Sequence, residues 1–201
     1  MRKFVKCMLL VGLAFAVVMS VSCKKTDEKD KGEVKPPSPA LEEPGFPVLF
    51  SFETDASVAA WQVEADEGVD KACKIAASLE HPTDGKRSLK MTLTEHKWPG
   101  TFTTKMPKDW SAYKSLKIDL TVMQDCSLTV RIDDEDSTDY ASRFQSGAQD
   151  VDKGKTTLEI ILDDVAENVN LKKIARLVLF GSNVPADETW VYYIDNIRLE
   201  K

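Results

Sequence analysis

The chain has 201 residues, 42% of them hydrophobic, with 33 acidic against 27 basic side chains and a formal net charge of −6. That length accommodates one domain with a real core beside any targeting or linker segment. The surplus of acid argues against partners rich in phosphate, nucleic acid or anionic lipid head groups, and leaves neutral ligands and cations.

Residues 1–22 read as a signal peptide. "MRKFVKCMLLVGLAFAVVMSVSC" opens with Arg2, Lys3 and Lys6, continues as an apolar run from Met8 to about Val21, and ends on small residues. The run is shorter than the ~20 residues of a spanning helix. Its ending, "MSVSC", resembles a bacterial lipobox, with Ser20 where leucine is usual. The resemblance implies a lipid on the Cys23 thiol and cleavage before it; Lys24, by its likeness to Gram-negative sorting signals, permits transfer to the outer membrane. Secretion without lipid is the alternative. Loss of residues 1–22 removes three basic groups and no acids, and the charge becomes 24 − 33 = −9.

Residues 23–45 read as a lipid-anchored tether. They alternate in charge, carry Pro36, Pro37, Pro39 and Pro44, and hold almost nothing apolar. Such a segment cannot bury enough surface to offset the entropy of ordering, and its prolines make it an extended spacer.

From residue 46 to 201 the sequence predicts an all-β domain. "VLFSFE", "ACKIAASLE", "RSLKMTL", "SLKIDLTV", "SLTVRID", "TTLEIIL", "ARLVLF" and "WVYYIDNIRL" are short, and most of them alternate. Turn chemistry separates them in "HPTDGK", "KWPG", "MQDC", "DKGK" and "GSNVPADE". Leu116, Ile118, Leu120 and Val122 share one face of their strand, and Leu128, Val130 and Ile132 share one face of theirs. That period of two marks antiparallel strands with one buried side, and their spacing suggests a sandwich or barrel. "DDVAENVNLKKIARL" reads as a loop with one helical turn. Trp61, Trp110 and Trp190 read as core or edge-filling residues. Cys73 and Cys126 either pair in an oxidising compartment or remain as two buried thiols.

Catalytic constellations are nearly absent. His81 and His96 lack the neighbours of a zinc site or a catalytic pair, and there is no nucleophile elbow, phosphate loop or dinucleotide fingerprint. Abundant carboxylates leave glycoside hydrolysis open on spacing alone. Without convergent site chemistry, the reading is non-catalytic.

The order "LFSFETD…W", "DGKRSLKM", "KDWSAYKSLKIDL", "LTVRIDD" and "YYIDNIRLE" resembles the galactose-binding-like jelly rolls, in particular carbohydrate-binding modules of families 4, 11, 22 and 30. The resemblance implies two antiparallel sheets, one convex and one concave, with the first and last strands side by side. It implies a ligand on the concave face or loop edge, and a structural Ca²⁺ held by Glu53 and Asp195 with carbonyls of "TDGKRS". Oxygen ligands of that kind suit Ca²⁺, and a cation relieves carboxylates set into apolar strands. The alternative is that Asp195 caps a bulge while Glu53 pairs with Arg87 or Arg198.

Strand parity selects the ligand face. With Leu128, Val130 and Ile132 inside, Thr129, Arg131 and Asp133 point outward. The same parity in "YASRFQS" sends Tyr140 and Phe144 to one face and Arg143 and Gln145 to the other. Arg131, Asp133, Arg143 and Gln145 suit sugar hydroxyls, and Trp98 and Tyr140 are the candidate stacking aromatics. The sequence thus predicts a monomeric glycan-binding lipoprotein of the bacterial cell envelope whose partner is a neutral poly- or oligosaccharide. The alternative is an envelope interaction module with the same fold.

Overall fold

The alternating segments become strands in the computed structural model, which describes residues 47–64 and 68–201. The signal peptide, the lipidated Cys23 and the tether lie outside the described residues. The strands are β1 Val48–Phe50, β2 Trp61–Val63, β3 Cys73–Ser78, β4 Ser88–Leu93, β5 Gly100–Thr103 and β6 Ser115–Val122. There follow β7 Cys126–Asp134, β8 Phe144–Gln145, β9 Gln149–Val151, β10 Gly154–Ile161, β11 Ile174–Phe180 and β12 Trp190–Glu200. Three short helices interrupt them: α1 Asp55–Ala59, α2 Val69–Ala72 and α3 Leu162–Val165. The last is the helical turn expected in "DDVAENVNLKKIARL".

The strands form two antiparallel sheets packed as a β-sandwich jelly roll. The first runs β10-β6-β12-β4-β3 with β1 on β12; the second runs β2-β5-β11-β7-β8 with β9 on β7. The first and last strands are therefore neighbours, with Val48 opposite Arg198. Leu116, Ile118 and Leu120 of β6 and Leu89, Met91 and Leu93 of β4 face Leu128, Val130 and Ile132 of β7 and Leu177 and Leu179 of β11, all buried. Each such side chain contributes roughly 1.5–3 kcal/mol on leaving water.

Several tryptophans complete this core. Trp61 packs edge-on against Phe50 with ring centroids 5.3 Å apart, and Trp110 is fully buried, its Nε1 donating to the Pro107 carbonyl at 2.8 Å. Asp109 caps the turn beside it, accepting the Ser111 N–H at 3.0 Å. Cys73 and Cys126 are free thiols. Burial, with a smaller contribution from the charge of Glu64, pushes the Cys73 thiol up to about 12.

Some elements depart from the sequence reading. "VLFSFE" leaves the strand at Phe50, because Phe52 takes a positive φ of 55° that no ladder accommodates. The segment "ACKIAASLE" begins with Ala72 still in α2. The strands β2, β5, β8 and β9, each of two to four residues, are too short to show a period.

Candidate functional site

The outward faces of the two sheets differ in chemistry. On the first sheet, charges close on one another: Lys117 pairs with Glu200 at 2.6 Å, while Arg198 pairs with Asp119 and Glu200 at 3.0 Å each. Thr157 and Asn196 also donate to Asp119 at 2.8 and 3.0 Å. Burial raises the Asp119 carboxyl, but these donors and Arg198 outweigh it and hold the group below its ordinary value. Around Asp119 and Arg198 this face is satisfied from within.

On the second sheet, the outward residues line an open cleft of about 440 Å³. Cross-strand register fixes its floor. Arg131 of β7 lies opposite Val178 of β11, and Thr129 opposite Phe180; Gln145 of β8 lies opposite Arg131. Trp98 closes one side from the loop before β5, and Tyr140 and Arg143 another from the loop before β8. Trp98 and Tyr140 are 54% and 71% exposed, unusual for large aromatics. Gly100 lets β5 approach β11 closely, since a Cβ there would meet that of Phe180 at 2.4 Å.

Of the six residues selected from sequence, Trp98, Arg131, Tyr140, Arg143 and Gln145 come together around this cleft. Asp133 does not line it. This residue is 6% exposed, and its carboxylate is gripped by Arg131 through Nε at 2.8 Å and Nη2 at 2.6 Å. Tyr140 breaks the expected parity. Residues 140–143 turn instead of extending, so the Tyr140 ring lies 5.3 Å from the Arg143 guanidinium instead of on the face of Phe144, which packs against the core.

Glu64, Thr129, Val178, Phe180 and Ser182 also line the cleft and were not selected from sequence. Parity in "ARLVLF" was the available signal for Val178 and Phe180, because Leu177 and Leu179 point inward. Glu64 carried none, since β2 was not legible; it pairs with Arg176 at 2.6 Å, and that guanidinium lies 4.0 Å over the Phe102 ring. A second depression, between Asp125, Asp150, Asp152 and the buried Trp190, has carboxylates but no exposed aromatic.

Glu53 and Asp195 are satisfied by amides. The loop before β4 turns N–H groups toward both carboxylates: Thr83 and Asp84 donate to Asp195 Oδ2 at 2.8 and 3.0 Å, Lys86 and Arg87 to Glu53 Oε1 at 2.8 Å each. Asp195 Oδ1 accepts from Asn196 N–H at 2.8 Å, inside a bulge between Asp195 and Arg198 where Asn196 takes a φ of 44°. Gly85, with φ 64°, is demanded here, because a Cβ would meet Glu53 Oε1 at 2.4 Å. Burial raises the Asp195 carboxyl and these N–H bonds pull it back, burial being the larger effect.

The groups that meet the two carboxylates in this structure are N–H donors, where the resemblance implies Ca²⁺. Asp195 Oδ2 accepts two N–H groups and Oδ1 one, and Glu53 Oε1 accepts two. Glu53 also does not meet the guanidinium of Arg198; Arg87 reaches the Glu53 carboxylate through its backbone N–H, while its guanidinium goes to Asp55 at 2.7 Å and to the Glu53 carbonyl at 3.4 Å.

Comparison with solved structures identifies the fold. A family 11 carbohydrate-binding module of a cellulosomal cellulase from Clostridium thermocellum superposes with a TM-score of 0.58 at 15% identity, over 79% of this chain and 96% of that one. A family 22 xylan-binding domain from Paenibacillus barcinonensis gives 0.51 at 17% identity, over 77% and 93%. An exo-β-agarase gives 0.58 at 18% identity over 76% of this chain, which spans only 24% of the agarase. No protein-family model matches, and no curated protein does. The chain carries the β-sandwich of carbohydrate-binding modules.

Proposed function

We propose that this domain is a non-catalytic carbohydrate-binding module, and that a lipid on Cys23 displays it on the bacterial cell envelope. The observation that carries the reading is the cleft itself. Trp98, Tyr140 and Phe180 offer apolar ring faces, and Thr129, Arg131, Gln145 and Ser182 offer hydrogen-bonding groups, all on one face of about 440 Å³. A sugar ring has the same division, apolar C–H faces and a hydroxyl rim, so stacking and edge-on hydrogen bonds are made together. The fold supports it: one neighbour's structure holds a β-1,3-1,4-mixed-linked tetrasaccharide, another is named for xylan binding.

No covalent step is assigned to any residue. Arg131 is held by Asp133 and Glu64 by Arg176, and the cleft's function is to hold a chain of sugars near the cell surface.

The test is calorimetric titration with a panel of neutral and acidic polysaccharides that includes mixed-linked β-glucan, xylan and agarose. At least one is expected to bind, with Trp98→Ala and Tyr140→Ala each weakening affinity roughly tenfold, as for a central aromatic contact. No binding across the panel, or wild-type affinity in both variants, refutes the reading. Retention of the protein in the membrane fraction that persists in Cys23→Ala refutes the lipid anchor.

A further inference from the structure

The positive groups around the cleft divide into two kinds. Arg131 and Arg176 are committed, the first bidentate to Asp133 and the second to Glu64. Arg143 and Lys97 are not. Among the described residues neither forms an ion pair or a side-chain hydrogen bond with an acid, and each lies over an aromatic ring of the cleft wall. Arg143 is 5.3 Å from the Tyr140 ring centre, and Lys97 is 4.2 Å from that of Trp98. The acid nearest Arg143 in sequence, Asp139, is held chiefly by Ser142 and by the N–H groups of Ala141 and Ser142 at 3.0 Å each, and the charge of Arg143 adds a smaller stabilisation without an ion-pair contact. The Arg143 Nε is enclosed without any acceptor.

Lys117 and Arg198 on the outward face of the first sheet are paired with acids, whereas Arg143 on the cleft wall and Lys97 beside Trp98 meet aromatic rings. A ring beneath a guanidinium engages its face and leaves the N–H edge available. That edge matches a carboxylate or a sulfate through paired charge-assisted hydrogen bonds.

On the carbohydrate-binding reading, which this inference deepens, we infer that the bound saccharide is anionic, carrying a carboxylate or sulfate ester that Arg143 recognises with Lys97 assisting. The aromatic rings take the apolar sugar face, and the two cations select for charge. The neutral glycan expected from the sequence would leave both cations unanswered.

Matched pairs of polysaccharides test this: polygalacturonate against its fully methyl-esterified form, and κ-carrageenan against its desulfated form, with mixed-linked β-glucan as a neutral reference. The carboxylate and sulfate pairs distinguish the two sources of charge. In affinity electrophoresis of the full chain, the acidic member of at least one pair should bind roughly tenfold tighter than its neutral counterpart, about the worth of one charge-assisted hydrogen bond. Added salt should shrink that preference. Arg143→Ala should abolish it with Tm unchanged, and Arg143→Lys should restore part of it. Equal binding within both pairs, or a preference that survives Arg143→Ala, overturns the charge assignment while leaving the module reading intact. Binding of β-glucan alone does the same. Failure of every polysaccharide overturns both.

Discussion

Replacing Asp195 by alanine tests whether loop amides hold the ends of the domain together. The carboxylate is fully buried and accepts N–H from Thr83, Asp84 and Asn196 at 2.8, 3.0 and 2.8 Å, with the Thr83 hydroxyl at 3.2 Å. Alanine strands three N–H groups, each costing about 1–3 kcal/mol if left unsatisfied. Relief of the buried charge offsets part of this, so the net loss is about 3–5 kcal/mol. In a domain of this size each kcal/mol moves Tm by ~2–4 °C, and a fall of about 10 °C follows. Asparagine keeps an oxygen for Thr83 and Asp84 but turns an NH₂ toward the Asn196 N–H. It should lose about 1–2 kcal/mol, close to one hydrogen bond. Urea unfolding followed by tryptophan fluorescence measures both variants. An alanine variant within about 1 kcal/mol of wild type, or an asparagine variant equally damaged, refutes the account.

Two further outcomes concern carboxylates held by N–H groups. Because N–H groups already engage both oxygens of Asp195, adding Ca²⁺ or a chelator should leave Tm unchanged; a reproducible rise with Ca²⁺ would refute this and favour the ion. Asp134 should give stability a pH slope: burial raises its carboxyl, but N–H groups of Asn170 and Asp136 and the Ser137 hydroxyl outweigh burial and hold it below the ordinary value. The unfolded chain then takes up the proton first, so the contribution is whole above about pH 4 and lost as pH falls through the lower folded-state value; Asp134→Asn should flatten the urea midpoint across that window, and an unchanged slope would refute the assignment.

What the sequence made legible was whatever repeats with a period of two over several residues. β6, β7, β10, β11 and β12 are seven to eleven residues long, and their inward leucines, isoleucines and valines announce both strand and face. Parity then brought Arg131 and Gln145 to one side, because β7 and β8 share a ladder. Tyr140 reached the same cleft for a reason parity cannot encode, a turn held by Asp139 and Ser142 through local hydrogen bonds. Phe180 and Glu64 depended on which strands become neighbours, a property of the whole sandwich and not of either segment. The amide cradle around Glu53 and Asp195 was hidden for a related reason. Backbone N–H groups have no letter in a sequence, and 112 residues separate Thr83 from the aspartate it serves.

The strand β5, "GTFT", reads backwards. Thr101 and Thr103 are fully buried on the core side, while Phe102 lies on the outward face under Arg176. A hydrophobic-in rule would turn this strand over and place Phe102 inside. The hydroxyls explain the inversion: Thr101 donates to the Gln62 carbonyl at 2.7 Å and Thr103 to the Ala60 carbonyl at 2.9 Å, tying β5 to the short strand β2 and the residue before it. Each bond contributes about 0.5–1.5 kcal/mol net, and removing only the donor leaves a buried carbonyl short of a partner. Thr101→Val is nearly isosteric and more apolar, so burial alone predicts a gain. The hydroxyl's role predicts a loss of about 1 kcal/mol, and about 2 kcal/mol when Thr103→Val is added, since the two carbonyls are separate. Urea midpoints of the single and double variants decide between them. Valine variants as stable as wild type would mean that β2 is held by its backbone ladder alone, and that the threonines face the core for some other reason.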